Sequence, residues 1–143
     1  MKNMDKRYQQ CSELGSHSKI VVSEQKCKFV IKNPKHRAIC KVKVDGCLPL
    51  SAIKCDYLFE LTHSKEVLYV ELKGKDIRHA LEQLLATMTN DFIQRRHVKH
   101  KKTCIVVSSR VPKEDTTSQR LKKRIRKNAS LKTGTRVYEV TIP

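Results

Sequence analysis

The sequence predicts an α/β fold in which a mixed central sheet is flanked by helices. Three observations support this prediction. Short segments with the apolar patterns of strands fill the middle of the chain, an amphipathic helix follows them, and the apolar segment CIVVSS comes soon after that helix. A continuously apolar strand is typical of a sheet that is covered on both faces. The 143 residues are enough for a single domain with one core.

The strands are predicted from alternation and from the turn residues between them. In the segment 37–45, Cys40, Val42 and Val44 share one face, and Asp45-Gly46 ends the alternation. The first 26 residues are weakly patterned and are compatible with a short helix over 8–14 and a strand beginning at 20–22. The clearer strands are predicted at 28–31, 37–45, 56–61, 66–73, 104–109 and 136–142.

Two helices are predicted. Over 76–92, apolar residues recur at helical spacing and form one stripe, and Asp76 places a negative charge where it favours the helix dipole. The segment 113–128 is nearly all polar, with only Leu121 and Ile125 on an apolar side. We therefore expect one domain over 1–143, with a core at about 27–110 and a basic helix and strand over 113–142.

The formal net charge of +17 points to a polyanionic partner. The sequence contains no amphipathic membrane-binding helix and no lipidation motif, so a nucleic acid is expected rather than a membrane. Because aromatic residues are not interleaved with the cations, we expect contact with the phosphate backbone of duplex or branched DNA. The expected contacts are Arg95, Arg96, Lys99, Lys101 and Lys102 in one segment, and Arg120, Lys122, Lys123, Arg124 and Lys127 in a second.

Six cysteines are present, but none is paired at the spacing of a metal site. The first ten residues lack the apolar segment of a signal peptide, so we expect an intracellular, cytoplasmic protein with free thiols, associated with the nucleoid if it is prokaryotic. No histidine pattern suggests a metal site either. His97 and His100 lie in a basic connector and are expected to contact phosphate or solvent.

Asp56, Glu71 and Lys73 carry the chemistry that the sequence suggests. Glu71 and Lys73 are two residues apart on a predicted strand and therefore project to the same face. Val70 and Leu72 face the other way and are expected to pack under a helix. An edge strand with its polar face in water would explain Glu71 and Lys73 alone. It does not explain why an acid opens the preceding strand and an amphipathic helix follows at once.

Asp56, fourteen intervening residues and then Glu71-Leu72-Lys73 resemble the PD-(D/E)XK nuclease superfamily. The resemblance covers about residues 37–109, both in the motif and in the order of strands and helix. It implies a restriction-endonuclease-like fold, with Asp56 opening the second core strand and the E-x-K motif on the third. The family's proline before the aspartate is replaced here by Cys55.

The resemblance implies a nuclease that depends on Mg²⁺ or Mn²⁺. Asp56, Glu71 and the backbone carbonyl of Leu72 would hold the ion, Lys73 would position or activate water, and Gln83 matches a helical glutamine of the RecB-like branch. Many members add another acid, for which Asp45, Glu24 and Glu13 are candidates. DNA is expected in preference to RNA, and action as a homodimer or with a partner protein. The alternative is a non-catalytic nucleic-acid-binding module or a nuclease subunit of a larger complex.

Overall fold

Strands dominate the first half of the chain, and helices alternate with strands in the second half. The computed structural model describes residues 2–73 and 76–143. The helices are α1 (Lys2–Gln10), α2 (Ile77–Thr89), α3 (Asp91–Arg96) and α4 (Thr116–Arg126). The strands are β1 (Ser12–Gly15), β2 (Lys19–Glu24), β3 (Cys27–Lys32), β4 (Ile39–Lys43), β5 (Tyr57–Leu61), β6 (Glu66–Lys73), β7 (Lys101–Ser108), β8 (Ser130–Thr135) and β9 (Val137–Thr141).

The strands form two sheets, and the larger one is mixed, as the sequence predicts. Its order is β1-β4-β5-β6-β7-β8, antiparallel from β1 to β6 and parallel from β6 to β8. Helices α2 and α3 connect β6 to β7, and α4 connects β7 to β8, which is how neighbouring parallel strands are usually joined. The smaller sheet has the order β2-β3-β9.

The large sheet is covered on both faces by apolar clusters. On one face, Tyr69 and Cys104 pack with residues of all four helices, including Leu84 of α2 and Ile125 of α4. On the other face, Val70 and Leu72 pack with residues of the small sheet. The expectation that Val70 and Leu72 pack under a helix is therefore wrong, because the helices gather on one face and the small sheet covers the other.

The ends of several elements differ from the sequence prediction. The predicted helix over 76–92 is divided at Asn90, whose side chain accepts hydrogen bonds from the backbone N–H groups of Phe92 and Ile93 and so begins α3. The first helix ends at Gln10, and β1 occupies part of the segment expected to be helical. Two strands rather than one follow α4, because Gly134 lies within β8 and not in a linker.

Cys11 and Cys47 form a disulfide with a Cα–Cα distance of 5.8 Å, which corrects the prediction of free thiols at these two positions. Cys27, Cys40, Cys55 and Cys104 are free, as predicted. Across residues 2–73 and 76–143, no helix has the length and apolar character needed to cross a membrane.

Candidate functional site

Asp56 and Glu71 lie beside each other where β5 begins and β6 approaches its end. The antiparallel register pairs Tyr57 with Val70, so Asp56 lies across from Glu71. The Asp56 backbone N–H donates a 3.0 Å hydrogen bond to Glu71 Oε1, and the Leu72 backbone N–H donates one of 2.9 Å to Asp56 Oδ2. Both acids are buried, with only 8% of Asp56 and 2% of Glu71 exposed. The two strands thus hold a pair of carboxylates in fixed positions.

Burial makes this pair costly to ionise. Burial, reinforced by the charge of Asp56, raises the pKa of Glu71 to about 9, although the nearby Lys73 ammonium opposes the shift. Burial also raises the pKa of Asp56, to about 6, against the effect of the Leu72 N–H and with a contribution from the charge of Glu24. The two groups therefore share a proton near neutral pH, or require a cation in its place.

Lys73 is the last residue of β6 and stands two residues beyond Glu71. Its backbone carbonyl accepts a 3.4 Å hydrogen bond from Cys27 Sγ, which ties the end of β6 to the small sheet. The Lys73 side chain is half-buried and borders an open cleft. It is thus able to offer its positive charge to a ligand beside the carboxylate pair.

Helix α2 fixes the segment that leads into Asp56. Gln83 Nε2 donates a 3.0 Å hydrogen bond to the carbonyl of Lys54, and Thr87 Oγ1 accepts one of 2.8 Å from the backbone N–H of Cys55. The Thr87 hydroxyl also donates to the carbonyl of Gln83. Gln83 therefore positions the strand before Asp56, and its Oε1 is buried with no hydrogen-bond partner among the described residues. Thr87 was not predicted from the sequence. It could have been found as a polar residue one turn beyond Gln83, on the buried side of the helix.

The three candidate additional acids differ in position. Glu24, the last residue of β2, contributes charge and a hydrogen bond to the raised pKa of Asp56, and Asp45 adds a smaller effect of its charge. Glu13 lies on edge strand β1, which is separated from β5 by β4. Within the part of the chain that the structure describes, no group of three or more His, Cys, Asp and Glu side chains is arranged to hold a metal ion.

A cleft of about 900 Å³ opens beside Lys73, at the carboxyl ends of the parallel strands β6, β7 and β8. This is the edge at which α/β sheets usually bind ligands. Among the described residues, four cations and one acid border the cleft, and its lining includes Lys26, Lys73, Arg110, Arg136, Asp76 and Gln25. Of these residues, sequence reasoning selected only Lys73 for the site.

The two basic segments that the sequence singles out lie mainly at the other end of the sheet. Lys101 begins β7 beside Glu66, whereas Ser108 ends β7 beside Lys73. An eight-residue strand is roughly 25 Å long, so the connector at 97–102 is far from the carboxylate pair. The carboxyl-terminal half of α4 leads into β8, which starts beside Thr103 at the same distant end.

Several of these predicted contacts have partners within the protein. Arg96 lies 2.8 Å from Glu60 and stacks over the ring of Tyr8, so part of its charge is engaged within the protein. Lys101 lies 4.0 Å from Glu66, and Lys122 is paired with Glu114. Arg95 donates to the carbonyl of Asp91, and Lys102 donates to the carbonyl of His100. The side chains of Lys99, Arg120, Lys123, Arg124 and Lys127 are largely in solvent.

A buried polar network around Glu60 was not anticipated from the sequence. Its carboxylate accepts hydrogen bonds from the Tyr8 hydroxyl at 2.5 Å and from His97 Nε2 at 2.6 Å, in addition to Arg96. The other ring nitrogen of His97 lies 2.8 Å from the Tyr69 hydroxyl. His97 is completely buried, so the expectation that it contacts phosphate or solvent is wrong. The network joins α1, β5, β6 and the end of α3.

Comparisons with protein-family models, with curated proteins and with solved structures find no match to this chain.

Proposed function

We propose that this protein is a metal-dependent nuclease of the PD-(D/E)XK type, with a restriction-endonuclease-like fold, that hydrolyses phosphodiester bonds in DNA. The observation that carries the proposal is the buried pair of Asp56 and Glu71 on adjacent strands, with Lys73 two residues further along β6. Burying two carboxylates side by side lowers stability, so such a pair is expected where a function requires it and not among ordinary surface acids.

The donor set suits Mg²⁺ or Mn²⁺. Asp56 and Glu71 would hold the ion, since hard cations prefer carboxylate oxygens and complete their coordination with water, backbone carbonyls and substrate phosphate. The raised pKa values of both acids support this, because a bound cation would offset their desolvation and the repulsion between the two carboxylates. The carbonyl of Leu72 is the backbone candidate, since Leu72 already contacts Asp56 through its N–H group. When bound, the ion would polarise the phosphate and lower the pKa of its water.

Residues of the protein would orient the attacking water, offset developing charge and position the metal ligands. The Lys73 ammonium would orient the attacking water and offset charge that develops on the scissile phosphate. Gln83 and Thr87 would keep the Asp56 segment in place through their bonds to Lys54 and Cys55. Glu24 or Asp45 would add a further acid to this edge of the sheet.

The test is cleavage of plasmid DNA by the purified chain in Mg²⁺, with a chelator as control. We expect Asp56→Asn, Glu71→Gln and Lys73→Ala each to lower the cleavage rate by at least about 100-fold while binding is retained. Glu66→Gln is the matched control, because Glu66 lies on the same strand at its other end. Binding without cleavage by the wild type would favour the non-catalytic binding module. A panel of linear, branched, single-stranded and RNA substrates would define the preferred nucleic acid.

A further inference from the structure

The cleft at the carboxyl ends of β6, β7 and β8 brings together cations from four separate parts of the chain. Lys26 comes from the β2–β3 turn, Lys73 from the end of β6, Arg110 from the segment after β7, and Arg136 from the β8–β9 turn. Of the described residues that border the cleft, one is an acid, Asp76, whose carboxylate caps α2 by accepting from the N–H of His79. The positive charge of the cleft is therefore largely uncompensated.

In the part of the chain that the structure describes, these four cations form no ion pair, although Lys73 lies near the Glu71 carboxylate. By contrast, ion pairs engage Arg96, Lys101 and Lys122. Four like charges around one cleft repel one another, so an anionic ligand would stabilise the cluster.

Two of these cations lie at tight turns between strands. Lys26 and Arg136 have φ values of 64° and 66°, in the left-handed region that favours glycine. A non-glycine residue there costs about 1 kcal/mol or more. Arg136 is held in this conformation by its N–H, which donates to the carbonyl of Ser108 at 2.6 Å, and by its carbonyl, which accepts from the N–H of Lys28 at 2.8 Å.

We infer that this cleft binds the phosphodiester backbone of the substrate strand, through Lys26, Arg110 and Arg136, and delivers the strand to Lys73 and the carboxylate pair. The inference builds on the proposed function, but it concerns binding and can be tested without cleavage. It assigns the phosphate contacts nearest the site to residues outside both basic segments of the sequence.

The experiment measures binding of a labelled DNA duplex by fluorescence anisotropy, in chelator, over a series of salt concentrations. Each lost phosphate contact should reduce the slope of log affinity against log salt by about 0.9. We expect the double variant Lys26→Gly/Arg136→Gly to reduce the slope by about 1.8, and Arg110→Gln to reduce it by about 0.9. Because glycine relieves the strain at both turns, the double variant should keep the melting temperature of the wild type.

Lys65→Gly is the matched control. Lys65 is an exposed lysine with a φ of 50°, in the β5–β6 turn at the other end of the sheet. The Lys65→Gly variant loses one positive charge at the same kind of backbone position as the cleft variants. We expect it to leave the slope of log affinity against log salt unchanged. If Lys65→Gly reduces the slope as much per charge as the cleft variants, binding is diffuse and the inference fails. An unchanged slope in the cleft variants, or no DNA binding by the wild type, would also overturn it.

The two proposals fail in different ways. A wild type that binds DNA through the cleft but does not cut it in Mg²⁺ would overturn the nuclease and leave the cleft assignment in place. A wild type that cuts DNA, with cleft variants that bind and cut normally, would overturn the cleft assignment alone.

Discussion

At the scale of single residues, Glu71 shows most directly the conflict between stability and function. Its carboxylate is buried beside that of Asp56, and it forms no ion pair within residues 2–73 and 76–143. Lys73 opposes the rise in pKa without abolishing it. An acid that served only the fold would not be expected at a position where its ionisation is so unfavourable. The pair is therefore best tested through stability as well as activity.

We predict that Glu71→Gln makes the metal-free protein more stable at alkaline pH. The pKa of Glu71 is raised above its usual value, so the folded state favours the protonated acid. The stability that this preference contributes is fully present below about pH 4.5 and is lost as the pH rises through about 9. Glutamine mimics the neutral acid and keeps the acceptor for the Asp56 N–H. Urea unfolding in chelator should show a gain of about 1 to 3 kcal/mol at pH 9 and almost none at pH 5. A variant less stable than the wild type at pH 9 would contradict this prediction.

At the scale of secondary-structure elements, two long-range connections attach the amino-terminal segment to the sheet. The Glu60 network reaches α1 through Tyr8, and the disulfide joins Cys11, just after α1, to Cys47 beyond β4. Both act at a distance from the carboxylate pair, so their loss should affect stability before chemistry.

The Glu60 network predicts a specific sensitivity to acid. Burial alone would raise the pKa of Glu60, but hydrogen bonds from His97, Arg96 and Tyr8 outweigh it and hold the pKa well below the usual range. Its stabilising contribution is thus present above about pH 4.5 and is lost as the pH falls further. We expect Glu60→Gln to lower the free energy of unfolding by about 2 to 4 kcal/mol at pH 7. The stability of the variant should also fall less steeply than that of the wild type as the pH is lowered. Equal acid profiles for variant and wild type in urea titrations would argue against the network.

The disulfide predicts a sensitivity to reducing agents. It closes a loop with a sequence separation of 36, for which the loss of chain entropy in the unfolded state corresponds to about 3 to 4 kcal/mol. We expect dithiothreitol to lower the melting temperature by roughly 10 °C. The variant Cys11→Ser/Cys47→Ser should melt at the temperature of the reduced wild type and should not respond to the reagent. A wild type that is indifferent to dithiothreitol would show that the bond does not contribute.

At the scale of the whole molecule, positive charge lies at both ends of the large sheet. The cleft borders Lys73, two residues beyond Glu71, and the carboxyl-terminal half of α4 lies at the opposite end. The pairing of Lys122 with Glu114 means that the charges of α4 are not equivalent. A nucleic acid that spans both surfaces would depend on the exposed cations and not on the paired one.

We predict that Lys123→Ala/Arg124→Ala flattens the salt dependence of duplex binding by about 1.8 in slope. Adding Lys122→Ala should change the slope further by much less than 0.9, because Glu114 already neutralises that lysine. Cleavage at saturating DNA should be unaffected by the triple variant, since α4 does not contribute to the carboxylate pair. The measurement is the affinity for duplex DNA over a series of salt concentrations. An unchanged slope for the triple variant would exclude α4 from the binding surface.

Much of the fold could be predicted because the pattern of neighbouring residues reports burial. The apolar stripe of α2 and the alternation or continuity of β4, β6 and β7 reflect which faces these elements bury, and no knowledge of their partners is needed. The division of the long helix at Asn90 was missed because one capping side chain outweighed an unbroken apolar stripe. The pairing of Asp56 with Glu71 was expected because consecutive strands joined by a short turn usually form a hairpin.

The sequence by itself determined the mixed sheet, the helix behind it and the motif of Asp56, Glu71 and Lys73, because each follows from spacing over a few residues or between adjacent strands. Only the tertiary structure decided which cations adjoin that motif. Lys26 and Arg136 reach it because β3 pairs with β9 and packs over β6, and His97 is buried because Glu60 and Tyr69 meet it across the sheet. The physical reason is that packing between distant segments depends on shape and on polar partners throughout the chain, which local periodicity does not record.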